Sequence, residues 1–248
     1  MTEVEEFQGA ARQFIETTLP TLTPIPDTET DRREHVSLFT SRAAELAAVP
    51  TARQWRAAKY DAGFGWLTGP REYGGAGLSE KYEQLYLDVE LEYDVPPEDC
   101  FSTGLEGLAQ TILAQGSEYL KGLLLQKIFR GDLITCLLFS EPGAGSDLGS
   151  VRTRALRDGD DWVVNGQKVW SSRTHYADVG LLLARTGTEA ERNRGITTFL
   201  VDIASPGLEV RPLVEMTGDA GFNEVFFDNV RIPDNRRLGE VGQGWAIY

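Results

Sequence analysis

The stretch Asp158-Gly159-Asp160-Asp161-Trp162-Val163-Val164-Asn165-Gly166-Gln167-Lys168-Val169-Trp170-Ser171 decides how this chain is read. Two of its dipeptides, Asp158-Gly159 and Asn165-Gly166, accept the positive φ that tight hairpin turns need. The residues around them are rich in β-branched and aromatic side chains. The spacing predicts strands over Val151 to Arg157, Asp161 to Val164 and Gln167 to Ser171, with a turn at Asn165 to Gln167. Further strands are predicted over Val179 to Arg185, Ile196 to Ile203, Leu208 to Leu213 and Glu224 to Ile232. Strands joined this way make an antiparallel meander or barrel.

Upstream of residue 133 the period changes. Leu105, Leu108, Ile112, Leu113, Leu120, Leu123, Leu124 and Ile128 fall largely at three- and four-residue spacings, one apolar helix face. Gly116-Ser117 ends one helix and caps the next. Phe7 to Leu19, Val36 to Ala48 and Glu80 to Tyr93 read as three more helices. Pro20, Pro24 and Pro26 mark a stiff connection between the first two. The fold class expected is α+β. A helical domain covers residues 1–132, a β domain 133–235, and the beginning of a further helical domain 236–248.

Composition narrows the function. Among 248 residues, 24 basic and 38 acidic side chains leave a net charge of −14. Such a surface repels nucleic-acid backbones, although local N–H groups can still hold one phosphate. No apolar run approaches the roughly 18 residues of a membrane-spanning helix, so no membrane insertion is expected. The first residues, Met1-Thr2-Glu3-Val4-Glu5-Glu6, are acidic where a targeting signal is basic, which points to the cytoplasm. Cys100, Cys136, His35 and His175 have no metal-ligand spacing, so no metal site is expected. His35 and His175 read as solvated surface.

Chemistry concentrates in two blocks. Phe139-Ser140-Glu141-Pro142-Gly143-Ala144-Gly145-Ser146-Asp147-Leu148 follows a buried apolar strand. Its glycines let backbone N–H groups approach a ligand, and Ser140 and Ser146 add hydroxyl donors. It lacks the spacing of a Rossmann fingerprint, and strands follow it. Taken alone, such a block is usually only a turn. The second block, Asn165-Gly166-Gln167-Lys168-Val169-Trp170-Ser171-Ser172, places a hydroxyl two residues after an indole. It can cover a ring face and aim a donor at the ring edge. Trp170 alone would more often be core.

Together these blocks resemble the acyl-CoA dehydrogenase family. The resemblance extends through Pro70-Arg71-Glu72-Tyr73-Gly74-Gly75-Ala76-Gly77-Leu78 and Asp228-Asn229-Val230-Arg231-Ile232-Pro233 to Gly242-Gln243-Gly244-Trp245. Thr174-His175-Tyr176-Ala177-Asp178 and Glu215-Met216-Thr217-Gly218-Asp219-Ala220, followed by Phe222-Asn223-Glu224-Val225-Phe226-Phe227-Asp228, resemble its actinobacterial branch, whose members often take bulky or steroid-derived thioesters and sometimes pair unlike subunits.

The resemblance implies an N-terminal helical domain, a middle β domain and a C-terminal four-helix domain, the last lying past Tyr248. It implies FAD as cofactor, with Leu137, Leu138, Phe139 and Ser140 against the isoalloxazine and Ser140 donating to its pyrimidine side. Gly145 and Ser146 would lie by the pyrophosphate, with Ser146 also at the entrance for CoA. Trp170, Ser171 and Ser172 would follow the ring, the indole packing on it and Ser172 aiming at N5. The implied reaction is α,β-dehydrogenation of an acyl-CoA thioester in fatty-acid or steroid side-chain β-oxidation, with electron-transferring flavoprotein as acceptor. The implied assembly is a homo- or hetero-oligomer of acyl-CoA dehydrogenase subunits. The carboxylate base of the family would lie beyond Tyr248, so no catalytic residue is assigned here and the isolated chain is expected to be inactive. Glu141 reads as structural, because Pro142 fixes its turn. A flavin monooxygenase on the same scaffold and a non-catalytic subunit of a heteromeric dehydrogenase are the alternatives.

Overall fold

The computed structural model describes residues 2–19 and 41–247. The Pro20 to Pro26 connection, His35 and the first part of the helix expected from Val36 lie outside the described residues. Chain packing forms two units. One comprises Met1–Asp99 with Phe129–Asp132, the other Cys100–Ile128 with Leu133–Tyr248. Thus the segment Cys100–Ile128, helical in pattern, packs in the same unit as the strands. Among the described residues, no helix is long and apolar enough to cross a membrane.

The first unit holds helices α1 (Glu3–Thr18), α2 (Arg42–Asp61) and α3 (Glu80–Glu90). Thr2 and Glu5 form a reciprocal capping box at the start of α1, satisfying two otherwise orphaned N–H groups. Ala11, Ile15, Trp55, Leu67, Tyr86 and Val89 bury together. Phe14 stacks on Trp55 and Phe64 on Tyr86. The sequence places the end of the second helix at Ala48, before Pro50. In the structure α2 runs through Pro50 to Asp61. The lost N–H of Pro50 is outweighed downstream, where Ala52, Trp55, Arg56 and Lys59 are buried. The Lys59 Nζ lies 2.7 Å from a Glu90 oxygen and 2.9 Å from Glu98 Oε2.

In the second unit, a π-helical turn (Thr103–Leu108), α4 (Ala109–Gln115) and α5 (Glu118–Arg130) precede the strands. Ser117 Oγ accepts from the Leu120 N–H, the cap its position implies. The strands are β1 (Thr135–Leu138), β2 (Arg154–Asp158), β3 (Asp161–Ser172), β4 (Val179–Arg185), β5 (Ile196–Asp202), β6 (Leu208–Leu213), β7 (Phe222–Pro233) and β8 (Arg237–Leu238). They form one sheet in the order β6-β7-β3-β2-β4-β5-β8, with β1 also on β4. The sheet is mixed, a correction to the purely antiparallel reading. β1 runs parallel to β4, and β2 meets β4 in parallel at Arg154 and Arg185. The cause is connectivity: β1 and β4 are separated by two strands and their turns, enough chain for a parallel crossover. Cys136, Leu138, Trp162, Val164, Leu182, Phe199, Val225 and Val230 are among the residues filling the core of this unit.

Asp158-Gly159 is the β2–β3 hairpin turn, with Gly159 at φ 62°. Asn165-Gly166 is not a turn; β3 passes straight through it. Here the ladder to β7 shifts register between Val164–Val230 and Gly166–Phe227, where β7 carries one extra residue. Asn229 takes the left-handed conformation at φ 53°. The Asn165 Oδ1 accepts its N–H at 2.9 Å. Glycine is required at 166 because a Cβ there would stand 2.6 Å from the Thr153 Cα. Gly166→Ala should therefore lower folding stability by about 1–3 kcal/mol. Urea denaturation checks this, and an unchanged midpoint would refute the packing argument.

Candidate functional site

The site begins where β1 ends. The Lys168 Nζ donates to the Phe139 carbonyl at 2.9 Å, and the Val169 N–H donates to the Ser140 carbonyl, also at 2.9 Å. These bonds join the two blocks that lie nearly thirty residues apart in sequence. They set the Ser140 carbonyl against the backbone of Val169, the residue before Trp170. Beyond Ser140 the chain turns tightly, with Glu141 and Ala144 exchanging backbone hydrogen bonds. A Cβ at Gly143 or Gly145 would meet nothing within 4 Å. The side-chain direction at both glycines is therefore open. Gly145 and Ser146 are exposed. Leu138 is fully buried in the core, so only its backbone is available to a ligand, whereas Leu137 and Phe139 are half-buried.

Lys168 is buried, and Glu141 nearly so. The ammonium lies 2.8 Å from Glu141 Oε1. The carboxylate also accepts from the Arg152 N–H at 2.6 Å and the Thr153 N–H at 2.9 Å. Burial alone pushes the Glu141 carboxyl up. Lys168 and the two N–H donors outweigh it and hold the group below the usual carboxylate range. Burial pulls the Lys168 ammonium down to about 8, with Glu141 opposing. Sequence reasoning passed over Lys168. Its signal was position: it shares strand parity with the buried Trp162 and Val164, where a lysine needs a partner.

A second register shift lies between Lys168–Val225 and Ser171–Asn223, this time with the extra residue on β3. It is a β-bulge, and Trp170 sits in it at φ 60°. Glycine is the ordinary occupant of that conformation. Trp170 is 58% exposed and touches Phe222 edge-on at 5.6 Å between ring centroids. A large aromatic side chain, held in a strained conformation and exposed, can cover a flat ligand. Ser171 is buried, and among the described residues its Oγ has no hydrogen-bond partner. Ser172 is exposed, and Arg173 follows at φ 63°, bonding Ser102 Oγ at 2.8 Å. His175 is not solvated surface. It is half-buried, edge-on to Tyr176, with its Nδ1 3.3 Å from Asn223 Nδ2.

Residues 136–230 match the family model described as "Acyl-CoA dehydrogenase, middle domain". Acyl-CoA dehydrogenase FadE34 of Mycobacterium tuberculosis is 44% identical over 205 residues, 82% of this chain and 28% of that protein. Acyl-CoA dehydrogenase IpdE1 of the same organism is 36% identical over 248 residues, 100% of this chain and 61% of that protein. The crystal structure of the ChsE4-ChsE5 complex from Mycobacterium tuberculosis superposes with a TM-score of 0.71 at 32% identity, covering 100% of this chain and 58% of that one. The chain therefore spans less than two thirds of these relatives' length. With its helices followed by this mixed sheet, the chain belongs to the acyl-CoA dehydrogenase family.

Proposed function

We propose that this chain carries the flavin-contacting surface of an enzyme that dehydrogenates acyl-CoA thioesters between Cα and Cβ. The observation that supports it most is Trp170, exposed and conformationally strained beside the end of β1. FAD, when bound, supplies the hydride acceptor. The Trp170 indole covers one part of the ring, and the Leu137 to Ser140 strand end lies along another. Ser171 holds its place in the bulge, and Ser172 donates its hydroxyl toward the atom where negative charge develops. Gly145 and Ser146 offer backbone N–H groups and a hydroxyl to phosphate, with Ser146 also serving the thioester's CoA portion.

The carboxylate that takes the α-proton is not Glu141. That group accepts three hydrogen bonds and neutralises Lys168. Among the described residues it is the buried carboxylate of the sheet unit. We accordingly expect no turnover from these 248 residues alone. The thioester class is fatty-acyl or steroid side-chain CoA. The electron acceptor is an electron-transferring flavoprotein, and the working assembly is an oligomer with further acyl-CoA dehydrogenase subunits, like or unlike. The similarity to a two-protein complex favours the unlike case.

The test uses the complete assembly, loaded with FAD and mixed with a panel of acyl-CoA thioesters in stopped flow. Ser172→Ala should slow flavin reduction by about 10-fold or more, with little change in thioester affinity, because the hydroxyl acts on charge absent from the ground state. Equal rates for both proteins would remove Ser172 from this role. Failure of the unaltered protein to bind FAD would overturn the whole reading.

A further inference from the structure

The bulge that exposes Trp170 needs something to hold it, because a left-handed Trp170 and a left-handed Arg173 flank only two residues. A tryptophan in that conformation is strained, so unsupported backbone would relax. The support comes from β7. Asn223 is fully buried and is the ladder partner of Ser171, the residue at which pairing resumes after the bulge. Its side chain also reaches the same residue: Asn223 Nδ2 donates to the Ser171 carbonyl at 2.9 Å. The second contact of that amide is His175 Nδ1, at 3.3 Å. With the amide donating, the imidazole accepts at Nδ1, which fixes its tautomer. Thr174 Oγ1 lies 3.4 Å from the same Ser171 carbonyl.

We propose that Asn223, backed by His175, is a positioning residue that clamps the Trp170-Ser171-Ser172 segment and so sets the presentation of the indole and of the Ser172 hydroxyl. The clamp itself is independent of any ligand. Its consequence for cofactor binding rests on the flavin reading above. An amide suits this place for a stated reason: its NH2 serves two acceptors at once, the Ser171 carbonyl and the imidazole. Aspartate has the same shape but offers no donor, and it sets a carboxylate against a carbonyl oxygen. Leucine has similar volume and offers neither group.

The experiment compares the unaltered protein with Asn223→Asp, Asn223→Leu, His175→Phe and His175→Gln. Amide hydrogen exchange is followed peptide by peptide without FAD, and FAD affinity is then measured by quenching of flavin fluorescence. Asn223→Asp and Asn223→Leu should speed exchange in residues 170–174 by at least about 10-fold relative to β4 and β5, and weaken FAD binding by a similar factor. His175→Phe should do the same to a smaller degree. His175→Gln keeps an acceptor facing the amide and should restore the unaltered pattern. Exchange that rises equally across the sheet, or stays unchanged in residues 170–174, would overturn the clamp. If both Asn223 variants fail to fold, the contrast between His175→Phe and His175→Gln decides the same point. Local loosening without any change in FAD affinity would uphold the clamp and count against the flavin reading.

Discussion

Glu141→Gln is expected to remove about 3–5 kcal/mol of folding stability, a large part of the 5–15 kcal/mol typical of a folded domain. The loss has two sources. The Lys168 ammonium, 0% exposed, is left without its counter-charge. The new amide also offers hydrogens where the Arg152 and Thr153 N–H groups need an acceptor. Adding Lys168→Met should recover much of the loss, since removing both members of a buried pair costs less than removing one. Chemical denaturation of the single and double variants measures this. A single-variant loss under about 1 kcal/mol would mean that the pair is open to water. The pH dependence has a definite sign. The folded Glu141 carboxyl lies below its unfolded value, so its stabilising contribution is present above that unfolded value, about 4.3. The contribution is lost as acid carries the pH down through the depressed folded value. Glu141→Gln should therefore flatten the acid limb of the stability curve.

The second large effect separates stability from binding. Trp170→Gly should leave the folding midpoint nearly unchanged. Glycine relieves the strain of φ 60°, worth roughly 1 kcal/mol. The lost edge contact with Phe222 costs about the same, 0.5–1.5 kcal/mol. FAD affinity, by contrast, should fall by about 10-fold or more, the usual consequence of removing an aromatic platform from a stacked ring. A binding titration beside a thermal melt reads both quantities. A variant that binds FAD normally would show that the exposed indole serves another surface. A variant that loses several kcal/mol would show that Trp170 is a packing residue after all.

Much of this arrangement was legible in the sequence. β4 and β6 have the bounds read from the sequence, β4 from an apolar run and β6 from alternating Leu208, Glu209, Val210 and Arg211, and Asp158-Gly159 makes the hairpin that its turn chemistry requires. Gly116-Ser117 separates two helices as its capping pattern indicates. What escaped depends on partners distant in the chain. Asn165-Gly166 has the composition of a turn, but Asn229 supplies the left-handed residue on the facing strand and lets β3 continue. The helix read from Val36 ends at Ala48 by pattern, but burial of Trp55, Arg56 and Lys59 carries α2 on through Pro50 to Asp61. The parallel β1–β4 pair leaves no mark in either strand, because register between distant segments is a tertiary property. At the site, the two blocks were visible separately. The bonds that join them, from Lys168 and Val169 to Phe139 and Ser140, and the brace from Asn223 were not.

The surplus residue in β3 also changes the arithmetic of inside and outside. Before it, even-numbered positions bury their side chains: Trp162, Val164 and Lys168. After it, the odd-numbered Ser171 is buried while Trp170 and Ser172 face out. Because a strand alternates with a period of two, one added residue inverts every later position. Strict alternation would have turned the indole and the Ser172 hydroxyl inward and Ser171 outward. The exposed pair thus owes its outward direction to a change of parity. Deleting Val169 would straighten the ladder and still leave Ser171 facing in and Ser172 facing out, because the residues after the bulge already keep step with β7.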